Sequence, residues 1–219
     1  MQTNRQPPTS STDPRFTPLW TPEQIVNRVA DIARKIDHDY ASNPPVLVGA
    51  LKGSFIFLAD LVRQMKLPAE IEFMRLSSYN AGTESSGHVR VAWGPSVEAI
   101  KDRPVIVVED IVDTGLTTST ALGHLRRKRP ASLRVCTLLD RPERRTTKLT
   151  VDYVGFTFSG RFVVGYGLDH RGMFRNLPAV VSLDPEHLEE YAPGGRPELL
   201  DEVLDLARGL SATPGKVTT

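Results

Sequence analysis

The sequence predicts an α/β chain whose central sheet is mainly parallel and flanked by helices, and three observations carry that expectation. Strand-like and helix-like segments alternate through the middle of the chain, as in repeated strand–helix–strand units. The apolar runs Val46–Leu51 and Val105–Val108 read as buried strands. The second of them leads directly into Glu109, Asp110 and Asp113, in an architecture whose ligands sit beyond the carboxyl ends of the strands.

The elements follow in order. Residues 1–19 are rich in Pro, Ser and Thr and carry too little apolar content to offset the entropy of ordering, so they read as a flexible tail. In "TPEQIVNRVADIARKI" Thr21 caps, Pro22 suits the first helical position and Gln24 completes a capping box. Ile25, Val29, Ile32, Ala33 and Ile36 then form one apolar face. Strand Val46–Leu51, helix Phe55–Met65 and strand Ile71–Leu76 make the first unit. Residues 79–87, "YNAGTESSG", form a long polar loop of the kind that often acts as a lid, before the strand "HVRVAW". Strand Val105–Val108, helix Thr117–Arg127 and the strands Leu133–Leu139, Val151–Phe156 and Phe162–Val164 complete the series. "RPELLDEVLDLARGL" offers Leu199, Leu200, Val203, Leu204 and Ala207 to a final helix, and "SATPGKVTT" trails off. The expected organisation is a tail at 1–19, one domain at 20–190, and a C-terminal helix and tail at 191–219.

Composition narrows the function classes. With 27 basic and 26 acidic residues the chain has no large field to draw it to nucleic acid or anionic lipid. Cys136 cannot form an intrachain disulfide and reads as a small buried hydrophobe, which suits a reducing compartment. No apolar run approaches the roughly 18 residues of a membrane span, and the first residues lack a signal-peptide core, so the expectation is cytoplasmic.

The chemistry gathers at "VIVVEDIVDTGLTTST". Gly115 permits an unusual turn, and Thr114, Thr117 and Thr118 offer hydroxyls and amides at the start of the next helix, which suits a phosphate monoester. Carboxylates just before such a cradle make sense if the ligand also carries hydroxyls or a metal ion.

This combination resembles the phosphoribosyl-pyrophosphate motif of the type I phosphoribosyltransferases. Four further stretches, "LVGALKGSFIFLADL", "RLSSYNAG", "TLLDRPERR" and "VDYVGFTFSGRFVVGYGLDHRGMFRNLP", agree in type and order with the hypoxanthine-guanine members. The resemblance covers most of residues 20–185 and implies the type I fold, with a small hood region and a flexible loop over the site. The implied reaction is Mg²⁺-dependent transfer of a 5-phosphoribosyl group from phosphoribosyl pyrophosphate to a 6-oxopurine by a homo-oligomer, dimer or tetramer.

The resemblance also implies residue roles. Leu51, Lys52 and Gly53 would bind pyrophosphate around an often cis Leu51–Lys52 peptide, with Arg75 adding charge, and Ser78 and Tyr79 would close over the site. Glu109 and Asp110 would engage the ribose hydroxyls, and Thr114, Gly115, Leu116 and Thr117 the 5′-phosphate. Asp113 would act as acid/base at the purine N7, while suiting a helix cap as well. Asp169 would hold Mg²⁺ largely through water, with Glu109 and Asp110 as further metal candidates, and Arg175 would contact pyrophosphate. Phe162 would stack on the base and Val163 read its edge through the backbone. Arg141 and Arg161 depart from the family, which commonly has lysine at both; Arg141 falls where a side chain donates to the purine 6-oxo group.

Two other functions compete. A receiver-like phospho-acceptor domain also gathers acids at strand ends but does not explain "DTGLTT". An RNA-binding regulator on the same fold would need a basic surface, for which Arg126, Arg127, Lys128 and Arg129 are the candidate, although at a helix end they also complement its dipole. His88, His124 and His170 lack metal-ligand spacing.

Overall fold

A computed structural model describes residues 16–78, 89–160 and 162–191, together with 202, 203, 205 and 209. Its core is a six-stranded sheet in the order β4 (Val89–Trp93), β3 (Glu70–Ser78), β2 (Val46–Leu51), β5 (Pro104–Val112), β6 (Ser132–Asp140) and β7 (Tyr153–Thr157). All neighbours are parallel except β3 and β4. One face packs on α1 (Pro22–Asp39) and α2 (Phe55–Gln64), with Ile25, Val29, Ile36, Leu58 and Leu61 meeting Leu47, Ile106 and Val108. The other face packs Val46, Val48, Val105 and Val107 against Ala121, Leu122 and Leu125 of α4 (Leu116–Arg126), and Ile100 of the short helix α3 (Val97–Ile100) joins them.

The chain order places the site. From β2 the chain moves outward to β3 and β4, then returns to β5 on the other side of β2, so β2 and β5 flank the topological switch point where open α/β sheets bind ligands. Pairing of β2 with β5 ends at Gly49 and Val108, while β5 stays paired to β6 as far as Val112 and Asp140. Glu109 and Asp110 therefore lie within the strand, not after it as the sequence reading had it, because β6 extends the ladder beneath them.

A second sheet, β1 (Phe16–Trp20), β9 (Val180–Leu183) and β8 (Phe162–Val164), is antiparallel and forms the hood. Residues 16–19 are thus not tail. Phe16 is buried with Val164, Val181 and Leu183, and Trp20 stacks on Phe156 at 4.7 Å between centroids, so ordering this segment is driven by long-range packing that a local composition count cannot register. Strand β9 and helix α3 were likewise not foreseen.

The α1 capping box is present: the Gln24 amide donates to Thr21 Oγ1 and the Thr21 amide to Gln24 Oε1. Cys136 is a buried free thiol. Residues 202, 203, 205 and 209 are helical, as expected, and Val203 is buried in the hood cluster. Among the described residues no helix is long and apolar enough to cross a membrane. The expected loop at 79–87, Tyr79, Arg161 and the remaining tail residues lie outside the described residues.

Candidate active site

Alternation along β5 sends its two acids to opposite faces of the sheet. Val105 and Val107 face the α4 side, and Glu109 continues that row to meet the Thr118 hydroxyl, which donates to Glu109 Oε1 at 3.2 Å. Ile106 and Val108 face α1 and α2, and Asp110 continues that row to meet the loop after β2. There the fit is tight: a Cβ on Gly53 would fall 1.7 Å from Asp110 Oδ2. A glycine at 53 is what lets that loop approach the carboxylate.

Both acids are held in surroundings that favour the protonated form. Burial, reinforced by the neighbouring Asp110 charge, raises Glu109 to about 8, with the Thr118 hydrogen bond opposing. Burial raises Asp110 to about 6, opposed by backbone amides and Arg175 and reinforced by Asp169. A cationic or hydroxyl-bearing ligand would relieve this cost, and strongly perturbed acids in a cleft mark functional sites.

The two flanking loops have the features expected of anion sites. The Leu51–Lys52 peptide is cis, Lys52 is exposed, and Arg75 lies beside Leu51 across the β2–β3 pair. On the other side Gly115 sits at φ 83° as the N-cap of α4, with no side chain capping the helix start. Apart from the Leu116 amide, the amides of the first turn are therefore open to an anion. A Cβ at Gly115 would also fall 2.4 Å from Thr147 Oγ1, so close packing requires glycine there as well as the dihedral angle. Leu116 and Thr117 are exposed beside it, and the Thr114 hydroxyl accepts the Leu116 amide at 3.4 Å. The Thr118 hydroxyl, offered from the sequence to phosphate, serves Glu109 instead.

Asp113 follows β5 directly. It does not cap α4, since that position belongs to Gly115, and its buried Oδ1 makes no hydrogen bond among the described residues. Arg144 Nε stands 3.5 Å from Oδ1 and Arg141 Nη1 3.8 Å from Oδ2. Arg141 is only 5% exposed, so it is not a solvated surface arginine. Its guanidinium lies 4.7 Å over the Phe158 ring and donates to the Gly160 carbonyl, two residues before Phe162. Phe162 is half-buried and edge-on to His170 at 5.5 Å, while Val163 is buried and paired with Ser182.

Asp169 and Arg175 form an ion pair at 2.5 Å. Asp169 Oδ2 also accepts the Gly172 amide at 2.6 Å, and Arg175 Nη1 donates to the Gly167 carbonyl at 2.6 Å. Arg175, expected from the resemblance at pyrophosphate, is thus engaged within the 165–177 segment. Among the described residues no three His, Cys, Asp or Glu side chains gather as a metal cage. Ser78 ends β3, and its side chain is not described.

The sequence reading missed several contributors. Arg145 donates to the Asp113 carbonyl at 3.0 Å and to Asp140, tying the segment after β6 to the end of β5. Phe158 supports Arg141 and is itself met edge-on by Trp20 at 5.8 Å. Neither carries a local signal. The paired glycines of "GYG" were a visible one: a Cβ on Gly167 would fall 2.1 Å from the Gly53 carbonyl oxygen. The Arg126–Arg129 cluster lies at the end of α4 remote from Gly115, where Lys128 Nζ donates to the Pro95 carbonyl.

Known proteins resemble this chain over the same region. A family model for the phosphoribosyl transferase domain matches residues 21–171. A curated hypoxanthine-guanine phosphoribosyltransferase of Mycobacterium avium is 43% identical over 173 residues, covering 76% of this chain and 85% of that protein. One from Staphylococcus aureus (strain Mu50 / ATCC 700699) is 41% identical, covering 77% and 93%. A crystal structure of a hypoxanthine-guanine phosphoribosyltransferase from Bacillus anthracis, with a HEPES molecule in its active site, superposes with a TM-score of 0.72 at 41% identity over 77% of this chain and 98% of that one.

Proposed function

The chain belongs to the phosphoribosyl transferase family, and from that premise we propose that it moves a 5-phosphoribosyl group from phosphoribosyl pyrophosphate to N9 of hypoxanthine or guanine, with xanthine as a third candidate base. The products are the nucleoside 5′-monophosphate and pyrophosphate, and the role is purine salvage in the cytoplasm. The observation that carries this reading is the Glu109–Asp110 pair at the switch point, held between the Lys52–Gly53 loop and the open N-terminus of α4.

The residues divide the work by chemistry. The first-turn amides of α4 receive the 5′-phosphate, where the helix dipole favours negative charge. Lys52 and Arg75 meet the pyrophosphate as the C1′–oxygen bond breaks and negative charge develops on the leaving group. Glu109 and Asp110 accept hydrogen bonds from the ribose hydroxyls and stabilise C1′ as it gains positive character. On the base side Arg141 donates to the 6-oxo group, Phe162 stacks, Val163 offers backbone groups, and Asp113 takes the purine proton as the N9–C1′ bond forms.

The acids present fit Mg²⁺ carried mainly by the donor's own oxygens, the usual manner for this ion at phosphate sites. Asp169 would hold it through water, since both its oxygens already accept hydrogen bonds or ion pairs and retain further lone pairs. Glu109 and Asp110 would contribute from the ribose side. When bound, the ion neutralises charge on the leaving pyrophosphate. A homo-oligomer is the proposed assembly, motivated by the exposed apolar side chains Phe55, Ile71, Phe73 and Trp93, and sedimentation velocity tests it.

The test of the reaction is product identity. Purified protein is incubated with Mg²⁺, phosphoribosyl pyrophosphate and hypoxanthine, guanine, xanthine, adenine or uracil separately. Monophosphates from hypoxanthine and guanine are expected by mass; product from adenine or uracil alone, or none at all, overturns the reading.

A further inference from the structure

The segment 165–177 joins the hood to the core at Tyr166, a residue to which the reaction above gives no role. Its flanking glycines bring the backbone against two carbonyls: a Cβ on Gly165 would fall 2.1 Å from the Ala179 oxygen and one on Gly167 2.1 Å from the Gly53 oxygen. Tyr166 itself lies in the left-handed region at φ 50°, a conformation uncommon for a residue with a side chain. Its ring is buried in the core cluster under α1 and α2, and its hydroxyl donates to Asp60 Oδ2 on α2 at 2.6 Å. Asp60 is also paired with Arg63, so its carboxylate is fixed from both sides.

The consequence of this anchor lies one residue on. Gly167 donates to the Arg175 carbonyl at 3.0 Å and accepts from Arg175 Nη1 at 2.6 Å, and Arg175 in turn holds Asp169 at 2.5 Å. Gly167 also rests on Gly53, whose other side is the Asp110 carboxylate. One tyrosine therefore sets where the Asp169–Arg175 pair stands relative to Lys52, Gly53 and Asp110.

We propose that Tyr166, through its hydrogen bond to Asp60, is a positioning residue that registers the Asp169–Arg175 pair against the Lys52–Gly53 loop and thereby sets affinity for the diphosphate end of the donor. This rests on the phosphoribosyl-transfer reading for its ligand but not for its geometry.

The experiment compares wild type with Tyr166→Phe, Asp60→Ala, Asp60→Asn and the Tyr166→Phe/Asp60→Ala double variant. Hydrogen exchange at residues 51–54 and 165–172 reads the geometry, and KM for phosphoribosyl pyrophosphate and for hypoxanthine reads the consequence. Tyr166→Phe is expected to raise exchange in both segments together and to raise the donor KM about tenfold, the scale of one lost hydrogen bond to a charged group. KM for hypoxanthine should change less than twofold. Asp60→Asn keeps an acceptor and should restore most of the donor affinity, and the double variant should be no worse than either single one. Exchange confined to 165–172, equal effects on both substrates, or additive losses would overturn the proposal. If wild type shows no transfer, the reaction reading fails, and the exchange data still decide whether Tyr166 couples the two segments.

Discussion

The six-stranded sheet and the hood sheet are joined through the segment in which Gly167 meets Gly53, but they are built by different means. The six-stranded sheet is assembled from consecutive strand–helix units and presents its functional groups at strand ends, so Glu109 and Asp110 are positioned by the ladder beneath them. The hood gathers Phe16–Trp20, Phe162–Val164 and Val180–Leu183 from remote parts of the chain, and its groups are supported by side-chain contacts such as Trp20 on Phe156 and Phe158. Under the proposed function, Glu109 and Asp110 at the end of β5 hold the charged donor, whereas the base is read where Arg141 at the end of β6 meets Phe162 and Val163 of the hood strand β8.

The largest effect should come from the core. Glu109→Gln with Asp110→Asn is expected to lower kcat/KM by about a thousandfold or more while circular dichroism stays native, because the lost groups both hold the ribose hydroxyls and act on charge that develops in the transition state. A variant within tenfold of wild type would break the comparison at its strongest point. Next is Gly53→Ala, whose added methyl collides with Asp110 and must displace one of them. A displacement of an ångström at a catalytic group costs about a hundredfold, and a steady-state assay measures it.

A smaller, more selective effect is expected on the base side, where Arg141 at the end of β6 meets the hood. Arg141→Met should reduce the ratio of kcat/KM for hypoxanthine over adenine by about ten- to a hundredfold, since an unmatched polar group in a dry pocket costs roughly 1–3 kcal/mol. Arg141→Lys should keep the ratio. Trp20→Ala should cost about 2 kcal/mol of stability, less than a fully buried tryptophan, because this ring is only half-buried. Its hypoxanthine KM should rise while the donor KM stays, and a thermal melt with parallel kinetics checks both.

The smallest effect is on pH dependence. An acid raised by burial keeps in the folded chain a proton that the unfolded chain has already lost. For Glu109, raised from 4.5 to about 8, stability without ligand should therefore fall as pH rises between those values and level off above. Asp110, raised from 3.8 to about 6, adds to the lower part of that window. Glu109→Gln should flatten the upper part in a series of melts; an unchanged slope would mean that Glu109 is not held protonated.

This contrast also explains what the sequence could disclose. β-Branched runs, the Thr21 capping box and the acid-then-glycine motif are local signals, and each corresponds to a described feature: parallel strands, a capped α1, and Gly115 at φ 83°. Strand Phe16–Trp20 has no such signal, because its order comes from β9 across more than half the chain. Arg145 and Phe158 acquire roles only when the segment after β6 folds back onto Asp113 and Arg141. Glu109 was legible as a functional acid but not as a buried one, since its burial depends on α4 closing over it through Thr118.

The claim that Glu109 and Asp110 hold the donor while Arg141 reads the base is tested most directly by measuring each substrate's binding in variants of each group. Titration calorimetry with Mg²⁺–phosphoribosyl pyrophosphate, and KM for hypoxanthine, would be recorded for wild type, the Glu109→Gln/Asp110→Asn protein and the Arg141→Met protein. The account predicts that the acid variant loses donor binding and that Arg141→Met keeps it within about threefold while its hypoxanthine KM rises at least tenfold. Donor binding lost in Arg141→Met but intact in the acid variant would contradict it.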